Sequence, residues 1–191
     1  MVPEAPFEVT EHGPLPAGKG WFVLNARDAR WFHFAGRGRT PALQGRGDFP
    51  HLGLGLTVLE PGEPMSMYHW ESDQEDFLVL SGEALLIAEG QERPLRQWDF
   101  VHCPPRTQHV IVGAGDGPCV IFAVGALENH TTGSRVDGTL DGLEGESAYT
   151  VDEAALRHGA GVEEETEDAA VAYARFPEPV PTRYREGWLP G

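Results

Sequence analysis

Pro61-Gly-Glu-Pro-Met-Ser-Met-Tyr-His-Trp-Glu-Ser-Asp-Gln-Glu-Asp-Phe-Leu-Val-Leu-Ser-Gly82 brings turn formers, a histidine, closely spaced carboxylates and an apolar run into one short stretch. His69 and Glu71 are two residues apart, so on a strand they point to the same face, and Glu75 follows across a short turn that can bring it back to them. From Asp76 to Ala88 the chain is apolar on both alternating faces. One face can fill an interior, and the other needs a second sheet, an arm or a partner subunit to cover it. Further along, Cys103-Pro-Pro-Arg-Thr-Gln-His109 supplies another histidine just behind a proline turn. Imidazoles and carboxylates converging in one interior suit a divalent first-row metal ion.

On either side of this stretch, 24 glycines and 16 prolines separate short segments rich in Val, Leu, Ile, Phe and Trp, which is the pattern of an all-β chain. The spacing predicts strands over Trp21 to Leu24, Arg30 to Phe34, Leu54 to Leu59, Met65 to Glu71, Asp76 to Leu80, Glu83 to Ala88, Phe100 to Cys103, His109 to Val112 and Cys119 to Val124. After Gly125 the composition turns to Gly, Asp, Glu and Thr, as in a long surface excursion. Asp152-Glu-Ala-Ala-Leu-Arg-His-Gly159 has an N-cap residue and a stop signal for a short helix, and a second helix is predicted from about Thr166 to Arg175. The Pro-rich tail from Phe176 cannot be helical or a central strand. Phe176, Tyr184 and Trp188 predict that it lies across the body or a neighbouring subunit. The expected organisation is an N-terminal arm and outer strands over 1–50, a barrel core over 51–126, and an acidic loop, short helices and C-terminal arm over 127–191.

A chain of 191 residues with 40% hydrophobic content can bury a sizeable core. The 30 acidic against 14 basic residues give a net charge of −16, which opposes nucleic acid and anionic membrane surfaces as partners. No apolar run approaches the roughly 20 residues of a membrane span, and the first twenty residues lack signal-peptide order, so a cytoplasmic location is expected. Cys103 and Cys119 have no Cys-x-x-Cys spacing and are expected to be buried thiols. Lys19, the single lysine, has no neighbours that would activate it for Schiff-base chemistry. Gly36-Arg-Gly-Arg-Thr-Pro41 lacks the context of a dinucleotide loop, Asn129-His-Thr131 is a formal glycosylation sequon only, and no nucleophile elbow is present.

The stretch 52 to 125 resembles the cupin superfamily. The first cupin motif runs Gly, five residues, His-x-His, three or four residues, Glu, six residues, Gly; here six residues separate Gly62 from His69, while Glu75 and Gly82 keep the spacing. The second motif, Gly, five residues, Pro-x-Gly-x-x-His, three residues, Asn, maps onto Trp98, Pro104, Arg106, His109 and Gly113. The resemblance implies a jelly-roll β-barrel with a four-ligand metal site at His69, Glu71, Glu75 and His109. Glu71 stands where the family has a histidine, which makes the site harder and more anionic and shifts preference toward Mn, Fe(II) or Zn, with Ni also open. Trp98 and Arg106 replace turn glycines, which implies altered turns, and Gly113 replaces the asparagine. Arg106 either reaches an anionic substrate or forms a surface salt bridge.

The function that follows is a metal-dependent cupin enzyme acting on a small polar or anionic molecule, of dioxygenase, isomerase or lyase type. His69, Glu75 and His109 hold the metal, and Glu71 is a further ligand or a catalytic base. His102 either faces the lumen as an acid/base group or is simply packed. Trp70 and Trp98 are expected to pack, with Tyr68 on the face opposite His69. The alternative is a non-catalytic metal- or small-ligand-binding module on the same barrel. The two-sided apolar strand and the aromatic arm predict a homodimer.

Overall fold

The computed structural model describes residues 1–47, 49, 51–128 and 146–191. In chain order the elements are β1 (Phe7–Thr10), β2 (Gly13–Gly18), β3 (Trp31–Phe34), β4 (Gly38–Pro41), β5 (Arg46–Gly47), β6 (Leu52–Leu59), β7 (His69–Glu71), β8 (Glu75–Ser81), β9 (Glu83–Ala88), β10 (Gln91–Arg96), β11 (Phe100–Cys103), β12 (His109–Ala114), β13 (Cys119–Ala126), β14 (Ser147–Tyr149), α1 (Glu153–Arg157), α2 (Ala169–Ala172) and β15 (Val180–Thr182). The fold is all-β, a cupin-type jelly roll. A seven-stranded sheet in the order β11-β8-β13-β6-β4-β3-β15 faces a five-stranded sheet in the order β10-β9-β12-β7-β14. A small sheet, β1-β2-β5, lies in the N-terminal arm. The large sheet takes strands from all three segments expected from the sequence.

Alternation along the strands builds the interior. Phe77 and Val79 of β8, Leu86 of β9, Val101 and Cys103 of β11, Ile111 of β12 and Ile121 of β13 form one buried cluster between the two large sheets. Both faces of β9 are indeed buried. Ile87 joins Tyr68, Val110 and Val112 on the outside of the five-stranded sheet, where Ala154, Ala155 and Ala160 cover them. The second large sheet is covered outside by the tail, with Tyr184, Trp188 and Leu189 packing on Trp31, Leu56, Val58 and Val120. Ile87 on the outer face of β9 and the aromatic residues Tyr184 and Trp188 of the tail thus find packing within one chain. Both cysteines are buried free thiols.

Several elements differ from expectation. The apolar run Trp21 to Leu24 is not a strand: Trp21 makes only an isolated parallel bridge to Glu4, and Val23 is exposed. Met65 to Glu71 narrows to β7, because Met65 donates to Ile111 O and Tyr68 to Ala160 O, which bends the chain out of the sheet between them. The second helix shortens to α2. Asp168 caps it, and Thr166, expected to begin it, is held by paired backbone bonds to Tyr149. The tail does contribute a strand, β15, at the sheet edge beside β3, where a missing proline N–H is tolerated. The sequon and most of the acidic excursion fall at 129–145, outside the described residues.

The turn glycines missing at Trp98 and Arg106 do not alter the turns as expected. Both residues adopt the left-handed backbone that glycine takes freely, with φ of 74° and 68°. Gly113 answers a different need, since a Cβ there would overlap the Glu60 carbonyl oxygen. Trp98 is largely exposed, so Trp98→Gly should raise stability by about 1 kcal/mol. Gly113→Ala should lower it by about 2 kcal/mol or more. Urea unfolding midpoints of the two variants check both signs.

Candidate metal centre

Strand parity aims the donors. On β8 the inward set is Glu75, Phe77 and Val79, on β12 it begins with His109 and Ile111, and His69 and Glu71 share a face of β7. β7 and β12 pair antiparallel with His69 directly opposite His109. Their rings stand 5.1 Å apart. Nδ1 of His69 meets Met67 O at 2.7 Å, and Nδ1 of His109 meets Thr107 O at 3.0 Å. A carbonyl can only accept, so each Nδ1 carries the proton and each Nε2 is the position turned toward the lumen.

Glu75 completes the group. Its Oε2 is buried without a hydrogen-bond partner, 3.3 Å from His109 Nε2 and 3.9 Å from His69 Nε2. Donor atoms of His69, Glu75 and His109 all lie within 4.8 Å of one another. Two imidazole nitrogens and an orphaned carboxylate oxygen, all withdrawn from water, are a donor set that a divalent first-row ion satisfies. Burial works against charge on His109, but the neighbouring Cys103 and the negative charge of Glu75 outweigh it and lift the imidazole to about 10. The Nε2 proton of His109 therefore sits where a cation would bind.

Glu71 shares the cavity, with Oε1 3.4 Å from His69 Nε2, but does not join the three-donor group. His102 is turned away from the cavity. On β11 the neighbours Val101 and Cys103 face the core, so parity directs His102 outward, half-exposed and 2.6 Å from Asp76. Arg106 takes the salt-bridge alternative, pairing with Glu146 and lying 4.6 Å over the Trp70 ring. Trp98, expected to pack, is exposed. Tyr68 is buried on the face opposite His69, as parity requires.

The donors open into a cavity of about 560 Å³. Much of its wall comes from residues that the sequence reading did not assign to the site. Tyr149 of β14 stacks on His69 with ring centroids 5.7 Å apart, and Tyr173, just after α2, meets Tyr149 edge-on at 5.5 Å. The two hydroxyls are hydrogen-bonded, and burial raises both phenols above the ordinary range. Arg37, Arg39 and Phe176 line the same space. Cys103 lies against His109, though its spacing carried no metal signal.

No curated protein sequence matches the chain. Among solved structures, one from Acidithiobacillus ferrooxidans, provisionally described as a sugar phosphate isomerase, is 30% identical, with 42% of this chain and 53% of that chain covered and a TM-score of 0.40. A sugar phosphate isomerase of the cupin superfamily from Silicibacter pomeroyi is 27% identical over 53% of this chain and 61% of that chain, with a TM-score of 0.42. A cupin 2 conserved barrel domain protein from Salinispora arenicola is 28% identical over 40% of this chain and 63% of that chain, with a TM-score of 0.37. This chain thus spans less than two thirds of the length of each. No helix among the described residues is long and apolar enough to cross a membrane. The family model described as a cupin domain matches residues 55–125, a span that includes His69, Glu75 and His109, so this stretch of the chain is a cupin domain.

Proposed function

We propose that this protein is a metal-dependent cupin enzyme acting on a small polar or anionic molecule. The observation that carries the reading is the buried group of His69, Glu75 and His109, with mutually close donor atoms, at the wall of a cavity of about 560 Å³. These three residues would hold one divalent ion, Mn, Fe, Zn or Ni, and leave positions open toward the cavity. The ion supplies Lewis-acid polarisation of a bound oxygen when present. The chain's own residues do the rest: Met67 O and Thr107 O fix the two rings, while the Tyr149 and Tyr173 wall keeps water from one side.

Glu71 is the base in this reading. Its carboxylate lies beside His69 and lines the cavity, outside the mutually close group of His69, Glu75 and His109. A carboxylate next to the His69 ring and facing the cavity suits proton transfer to or from a bound molecule. The reading is compatible with isomerase or lyase chemistry, which needs a Lewis acid and a base, and leaves dioxygenase chemistry open.

Protein loaded with Mn, Fe, Ni or Zn should contain about one ion per chain by elemental analysis. His109→Ala and Glu75→Gln should lose it while remaining folded by circular dichroism, and negligible metal after every loading ends the proposal. Glu71→Gln should keep the stoichiometry and weaken affinity by about tenfold, the usual scale for a group beside the donors. Because the ion must displace a proton held by His109 up to about 10, apparent affinity should rise with pH, by up to roughly tenfold per unit between about pH 6 and 8. Calorimetric titration at several pH values measures the slope.

A further inference from the structure

Arg37 belongs to the turn between β3 and β4, outside the matched domain, yet it lines the same cavity as His69, Glu75 and His109. Its guanidinium lies 4.3 Å over the Tyr173 ring, 5.0 Å over Phe34 and 5.2 Å over Phe176. Nε is buried and has no hydrogen-bond partner. None of the ion pairs and side-chain hydrogen bonds among the described residues involves Arg37. Arg39 lines the cavity too, but its Nη1 donates to Glu60 at 2.8 Å. A guanidinium taken from water without an acidic partner is costly, and aromatic faces offset only part of that cost. Burial pulls Arg37 below its ordinary value, the direction expected of an uncompensated cation.

Placement gives this charge a use. The rings of His69, Tyr149 and Tyr173 follow one another along the wall, and Arg37 lies over the last of them. Arg37 and the metal donors are therefore the two polar ends of one aromatic wall. A divalent ion would be balanced by the carboxylates of Glu75 and Glu71, while Glu178 at the rim is exposed. Arg37 is then the positive charge left over for a ligand.

We propose that Arg37 is the anion-binding residue of this cavity, and that the ligand carries an oxyanion, a carboxylate or a phosphate, seated on Arg37 while another part of the molecule faces His69, Glu75 and His109. The second half of this statement rests on the metal reading above; the first does not. A purely structural Arg37 would only rivet the segment bearing Tyr173 and Phe176 to the β3–β4 turn, and would be indifferent to anions.

Calorimetry with inorganic phosphate and with malonate, on metal-loaded and metal-free protein, separates these roles. One of the two anions should bind the wild-type protein at millimolar concentration or below, and whichever binds more tightly identifies the oxyanion as phosphate or carboxylate. Arg37→Gln and Arg37→Met should each weaken that binding by about tenfold or more with metal stoichiometry unchanged. In the wild-type chain, the same anion should also protect Arg37 from phenylglyoxal, read by mass spectrometry, which needs no variant to fold. Failure of both anions to bind or to protect overturns the proposal, as does wild-type anion affinity in either variant. Anion binding and protection in a protein that takes up no metal would uphold the Arg37 site and remove the metal reading alone.

Discussion

The pairing of His69 with His109 across β7 and β12 is the constraint on which the rest of the site depends. A strand shifted by one residue turns every side chain to the opposite face, so a slip of β7 would send His69 and Glu71 outward and bring Trp70 into the cavity. A three-residue strand has little hydrogen bonding of its own with which to resist this. The segment ahead of it does the fixing: Gly62 N donates to Gly113 O, Gly113 N to Glu63 O, and Met65 N to Ile111 O. That contact requires a glycine at 113, because the Glu60 carbonyl occupies the space of a Cβ. Tyr68, buried against Ile87 and Ala155 on the outer face, anchors the strand from behind. Register, donor orientation and the absence of a side chain at 113 are one arrangement.

The barrel and the convergence of His69, Glu75 and His109 were legible because both depend on local pattern. Alternation placed β9 and β11 at their observed ends, and the two-residue spacing of His69 and Glu71 carried directly into a shared face. Legibility failed where a segment's conformation is set by something distant in sequence. Trp21 to Leu24 has the composition of a strand, but its neighbours give it a single bridge to Glu4 and leave Trp21 and Val23 exposed. His102 was placed by position near the second motif, whereas parity with Val101 and Cys103 puts it outside, against Asp76. Tyr149 joins the site through the pairing of β14 with β7, Tyr173 through the α2 region and Arg37 through the β3–β4 turn, none of which a short spacing encodes.

Trp98 and Arg106 show how far backbone shape can persist without the residue that favours it. Both hold positive φ in turns that glycine would occupy at no steric cost. At Arg106 the strain has an evident compensation, since its backbone N–H reaches Glu71 O and its side chain pairs with Glu146 and covers Trp70. The left-handed turn is thus tied to the end of the strand that carries Glu71. At Trp98 the backbone N–H donates to Val79 O, but the indole is exposed. Nothing in the structure explains the choice of tryptophan there.

The cavity is built from the barrel strands, the β3–β4 region and the C-terminal extension, which answer to different chemistry. Its donors come from the barrel strands, held by ladder hydrogen bonds and a core between two sheets, so their geometry is stiff. Tyr149, Tyr173 and Phe176 come from the C-terminal extension, whose own small core also takes in Met67 and Val162. Met67 links the two: its carbonyl orients His69, and its N–H donates to Tyr173 Oη at 3.2 Å. A single residue therefore fixes a donor ring and seats the aromatic wall. Because the wall's position relative to His69 is set at that residue, its rings can differ without disturbing the arrangement of His69, Glu75 and His109, whereas a change in the path of Met67 would move both at once. A cupin motif accounts for His69, Glu75 and His109 alone; the rest of the wall comes from the β3–β4 region and the C-terminal extension.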